Sequence, residues 1–169
     1  MSVIDLDGIK TAIKTILETA NTTTGSPIDL SLSMVNRVNK VFTLNPERIP
    51  IQPSFFPAIT VFYQGKDVQP ADMAVNGLNA KYRARIKAKI LGIVWLDDIN
   101  TANFQYTDLA DNECENLMEN IEQVLKSDLT LQGKALWSQV RSVEYFNVNL
   151  GEDAHFRTGV IDFEIMVQY

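Results

Sequence analysis

Hydrolytic chemistry needs a nucleophile with a base beside it, and this sequence offers one histidine, His155, and one cysteine, Cys114. His155 stands between Ala154 and Phe156, in a short link before a strand-like run. No Gly-x-Ser-x-Gly turn supplies a serine nucleophile elsewhere, and His155 reads as a surface histidine. Cys114 falls on the apolar stripe of a helical pattern, where a thiol is an inert packing group. Asp97-Asp98 could offer carboxylates to a metal or to acid–base work. Adjacent residues at a strand end point apart, however, and no histidine accompanies them, so strand termination is the simpler reading. One Cys and one His exclude an intrachain disulfide and a Cys₄ or Cys₂His₂ zinc site. Neither a Walker loop nor Gly-x-Gly-x-x-Gly is present. The residues propose no enzyme, no metal and no cofactor.

The chain of 169 residues is the size of a single domain, 1–169, able to bury a core without staples. Hydrophobic residues at 46% and charged residues at 21% are ordinary for a globular protein. The net charge of -6 argues against a general nucleic-acid binder. The start, Met-Ser-Val-Ile-Asp, lacks the pattern of a signal peptide. No apolar run approaches the roughly 18 residues of a membrane span. These features predict a protein made in a reducing cytoplasm.

Positioning begins with a helix over 5–20, in which Ile9, Ala12, Ile13, Ile16, Leu17 and Ala20 form one stripe. Residues 21–57 read as an extended arm, because Pro46, Pro50, Pro53 and Pro57 exclude a regular helix and a central strand. Within it, Leu32, Met34, Val38, Val41 and Phe42 suggest strand fragments. Ala58–Tyr63 is a strand by its β-branched and aromatic content. Residues 64–79 read as a long hairpin loop marked by Gly65, Pro70 and Gly77. Residues 80–96 alternate with period two. A second helix, capped by Thr107 or Asp108, runs to about Lys126 with Ala110, Cys114, Leu117, Met118, Ile121, Val124 and Leu125 inside. Leu129–Gly133 is a turn, and strands at about 138–150 and 156–169 close the chain through Gly151-Glu-Asp153. The expected fold is α+β: a single mixed, mostly antiparallel sheet of four to five strands, with two helices packed on one face.

Charge is patterned on these elements. Lys81, Arg83, Arg85, Lys87 and Lys89 place +5 on one strand face, as a stripe about 27 Å long. Such a stripe faces solvent, a neighbouring subunit or nearby nucleic acid. Residues 97–128 hold nine acids against Lys126, a net of -8. The second helix there shows Asp111, Glu113, Glu115, Glu119 and Glu122 away from its stripe. A basic sheet face and an acidic helix face on opposite sides of one layer make the molecule complementary to a rotated copy of itself.

In element order the chain resembles bacteriophage tail terminators, the tail-completion family of the lambda minor tail protein U type. The resemblance runs from the first helix through Phe55-Phe56-Pro57-Ala58-Ile59-Thr60-Val61 into a strand, a long loop and a second strand. It continues through the helix end Val124–Asp128, the turn Leu129–Gly133 and the closing strand Phe163–Tyr169. It implies a structural virion protein without catalysis, assembled in the host cytoplasm. Such a protein forms a ring, expected to be hexameric, at the head-proximal end of the tail. Its partners would be its own copies, the major tail tube protein and the head–tail connector, with genome DNA passing through unread. A neck or head-completion adaptor is the neighbouring reading, and a small ligand-binding α+β domain the reading from another class. Lys66, Asp67, Asp72 and Met73 of the long loop would then dock on the tube or an adjacent ring.

Overall fold

The computed structural model describes residues 4–22, 38–50, 52–70, 82–97, 105–149 and 154–169. Two helices, α1 (Leu6–Thr22) and α2 (Gln105–Ser127), accompany five strands. The strands are β1 (Lys40–Phe42), β2 (Ala58–Pro70), β3 (Tyr82–Asp97), β4 (Trp137–Asn149) and β5 (Ala154–Gln168). They form one mixed sheet in the order β1-β2-β3-β5-β4. β1 is parallel to β2, and the remaining neighbours are antiparallel. The fold is α+β, as expected.

Both helices lie on one face because each has one apolar stripe and the strands have one apolar side. Ile9, Ile13 and Leu17 of α1, with Leu117, Met118, Ile121 and Leu125 of α2, are fully or almost fully buried. They meet Ala84, Ile86, Ala88 and Ile90 of β3 and Ile161, Phe163 and Ile165 of β5, which are equally inaccessible. The Tyr63 hydroxyl donates to Leu6 O at 2.6 Å, tying the start of α1 to β2. The Asp5 carboxylate accepts from Gly8 N at 2.8 Å, satisfying a free donor of the first helical turn.

α2 sits closest to the sheet over a cross-strand glycine pair, Gly92 on β3 and Gly159 on β5. A Cβ at Gly159 would overlap Met118 Cγ and Sδ, and one at Gly92 would meet Met118 Sδ and Leu117. After α2 the chain turns through Leu131, Gln132 and Gly133, all with positive φ (50°, 57° and 78°). The Asp128 carboxylate holds this turn, accepting from Thr130 Oγ1 (2.8 Å), Gln132 N (2.8 Å) and Thr130 N (3.1 Å). Leu131 tolerates its backbone because its side chain is fully buried in the core.

Two expectations change. The loop expected over 64–79 is strand as far as Pro70. Gly65 through Pro70 pair with Lys87 through Tyr82, after a bulge between Tyr63 and Gly65. The rest of that loop, the hairpin link at 151–153 and arm residues 23–37 and 51 lie outside the described residues. The arm itself is more ordered than an excursion. Pro46–Arg48 and Pro53–Phe55 form short 3₁₀ turns with proline leading each, where its fixed φ suits a helical start. The arm crosses the face opposite the helices. There Phe56 makes edge contacts with Trp95 (5.5 Å) and Phe156 (5.4 Å), and Thr60 Oγ1 donates to Leu44 O at 2.5 Å.

The glycine seat predicts that Gly159→Ala destabilises the protein by about 1–3 kcal/mol, the usual range for overpacking a core. Thermal unfolding checks this. Gly65→Ala, where the added carbon meets nothing, is the matched control.

Candidate interaction faces

On the open face, Arg83, Arg85, Lys87 and Lys89 project in one row, alternating with buried Ala84, Ile86 and Ala88. Lys81 lies outside the described residues. The row is not a free positive stripe. Lys87 Nζ is 3.0 Å from Asp67 on β2, and Lys89 Nζ is 3.4 Å from Asp162 on β5. Arg85 Nε is 3.2 Å from Glu164 Oε1. Glu164 is itself held from the other side by Arg141, with Nε to Oε2 at 3.1 Å and Nη2 to Oε1 at 2.9 Å. Ser142 Oγ donates to Asp162 at 3.0 Å. The Arg141 hydrogen bonds, helped by the Arg141 and Arg85 charges, keep the Glu164 carboxyl below its ordinary range despite its burial. Arg83 differs, because its cross-strand neighbours are Gln69 and Gln168.

The two bulges, at Gln64 on β2 and Arg141 on β4, fall almost level across the sheet. Between them lies a shallow hollow of about 210 Å³, lined by Gln64, Lys87, Arg141, Asp162 and Glu164. Each charged group there already has a partner of opposite sign. The hollow is therefore electrically closed, which weakens it as a site for a small charged ligand.

On the helix side, the acidic residues separate into distinct environments. Asp111 lies 2.6 Å from Arg157 Nε, an ion pair without hydrogen-bond alignment. Glu122 pairs with Lys126 at 2.7 Å, one turn on. Glu115 and Glu119 are exposed and make no ion pair among the described residues. Glu113 does not belong with them. It is 3% exposed, on the buried stripe beside Cys114, and neither of its oxygens has a hydrogen-bond partner among the described residues. Helical phase puts it there; its charge alone had suggested the outer face. Burial pushes its carboxyl up.

Of the residues expected in a docking loop, Lys66 and Asp67 sit instead on β2, opposite Ile86 and Arg85. Asp72 and Met73 lie outside the described residues. Burial pushes the Cys114 thiol up to about 12, fitting an inert packing group. Asp97 ends β3, and His155 is a β5 residue level with Leu96 and Asn149; Asp98 is outside the described residues. Among the described residues no cluster of three potential metal ligands occurs, and no helix is long and apolar enough to cross a membrane. The role of Arg141, Asp162 and Glu164 was not visible without the strand register. Alternation marked Asp162 and Glu164 as outward, but nothing marked their partners.

Neither family models nor curated proteins yield a match to this chain.

A raised carboxyl at Glu113 means that the folded state holds its proton more tightly than the unfolded state. Stability therefore falls as pH rises above the ordinary glutamate value of 4.5. Glu113→Gln should stabilise the protein at pH 7, and the gain should vanish below pH 4.5. Urea unfolding at the two pH values measures it.

Proposed function

We propose that this chain is a structural, ring-forming protein of a phage tail: a tail terminator that caps the tube at its head-proximal end and offers a surface to the head connector. One observation carries the reading. Among the described residues the single sheet leaves both long edges open, with the exposed acids Glu115 and Glu119, which have no ion pair there, on the helix layer. A module of this kind supports head-to-tail contact between identical copies, and such contacts close into rings when the rotation fits. The element order that resembles tail terminators supports the same reading. Pairing throughout the hollow favours an assembly part over a ligand-binding domain.

The ion pairs refine the expected relation to DNA. Phosphate binding to Arg85, Lys87 or Lys89 would have to displace a carboxylate already in place. Only weak, salt-sensitive contact is left for duplex passing nearby. Genome DNA would traverse the ring without being gripped.

Light scattering and negative-stain imaging, with and without tube protein, test the proposal. Rings that cap tubes are expected. A strict monomer that neither joins nor caps tubes overturns it, and binding to connector in preference to tube moves the role to the neck. Arg83→Glu should leave folding intact, because the side chain has no ion pair among the described residues. If the stripe lies against a neighbour or DNA, this variant lowers ring yield or DNA packaging; unchanged assembly and packaging return the row to a solvated face.

A further inference from the structure

The two open edges of the sheet are different. β1 covers β2 only from Ala58 to Thr60. From Val61 to Pro70 the outer edge of β2 has no strand beside it among the described residues. At the other side, β4 has no outer partner among the described residues over its whole length, Trp137–Asn149. Exposed edges are usually blunted by lysine, proline or a bulge. Beyond its bulge at Arg141, β4 has none of these. It carries Val143, Glu144, Tyr145 and Phe146, with Tyr145 42% and Phe146 47% exposed on successive positions.

Polarity and charge name an occupant. β2 and β4 run in opposite directions, since three antiparallel steps separate them. A second copy placed beside β4 by its β2 edge therefore continues the sheet antiparallel, with the helices of both copies on the same side. Above the β4 edge on that side are the acids of α2. The Tyr145 phenol lies within the field of Glu115, Glu119 and Glu122. On the same side of the β2 edge, Lys66 stands opposite the helix-facing Ile86, exposed and without an ion pair among the described residues. Lys10 lies over the Tyr63 ring, 5.0 Å from its centre. Lys66 stands at one edge, where Asp5 and Asp7 accompany Lys10 nearer Tyr63, and acids overhang the other.

We infer that the free edge of β4 takes the β2 edge of a second copy of this chain, with Lys66 of the second copy against Glu115 and Glu119. Main-chain hydrogen bonds would supply the attraction, and the charges the register. The inference deepens the ring reading and rests on it. It also moves the intersubunit contact from the basic row of β3 to the edge strands.

A charge swap tests it, with assembled mass followed by light scattering, alone and on tube protein. Lys66→Glu and Glu119→Lys should each weaken assembly by about tenfold or more, because each sets like charges across the junction. The double variant, carrying both changes in one chain, should regain wild-type assembly. Phe146→Lys, which installs a gatekeeper on the edge, should weaken assembly without rescue by either. All three positions are exposed, so circular dichroism should report unchanged folding. Single variants that assemble like wild type, or a double variant that fails to recover, overturn the edge pairing and leave the ring reading standing. A wild-type chain that neither assembles nor caps tubes overturns both.

Discussion

The seating of α2 on the glycine pair Gly92 and Gly159 sets the geometry on which the other features depend. With no Cβ on either strand, the helix comes down until Met118 fills the space. That depth brings Leu117, Ile121 and Leu125 onto the inner side chains of β3 and β5, all essentially inaccessible. It also fixes the helical phase. With Ala110, Cys114, Leu117, Met118, Ile121, Val124 and Leu125 turned to the sheet, Glu113 falls at the buried margin of that stripe, while Glu115 and Glu119 face out. The cost of the depth is a carboxyl buried at Glu113 without a hydrogen-bond partner among the described residues, whose pKa burial pushes up.

The opposite face has no helix layer and solves its exposure in two ways. Its apolar end, where Trp95 and Phe156 lie 4.8 Å apart, is roofed by the arm, with Phe56 packed edge-on against both rings. Among the described residues nothing covers its polar end, and there each strand supplies the countercharge of its neighbour. Asp67, Asp162 and Glu164 interleave with Lys87, Lys89, Arg85 and Arg141. Exposed pairs of this sort each add little to stability. The nearly buried Glu164, gripped bidentately by Arg141 and again by Arg85, is the firm point of the network.

Much of this was legible in the residues. Alternation over 82–90 is so regular that strand, inward side and basic row follow directly. Both helices follow from their stripes, and the four prolines of the arm forced it off the regular elements. What escaped depends on partners distant in sequence. Gln64–Pro70 has glycine, proline and little β-branching, so local propensity favours a loop. It is strand because β3 offers a long ladder and the bulge at Gln64 absorbs the misfit. The basic row looked unpaired because its acids lie on β2 and β5, and only the register puts Asp67 beside Lys87 and Asp162 beside Lys89.

Register therefore changes which charges are available to a partner. Summed along the chain, the basic row of β3 is the strongest positive feature and the acidic helix the strongest negative one, so they look made for each other. In space the row is spent within its own sheet. Among the described residues, the exposed acids of α2 without an ion pair are Glu115 and Glu119, and Lys66 and Arg83 are among the cations without one. Arg83 is on the open face and Lys66 on the helix side, level with the layer that carries the acids. Complementarity between copies thus lies along the sheet plane, from edge to edge, and not through the sheet from face to face. A head-to-tail contact in that plane closes into a ring when its rotation about an axis alongside the sheet fits, as the proposed assembly requires.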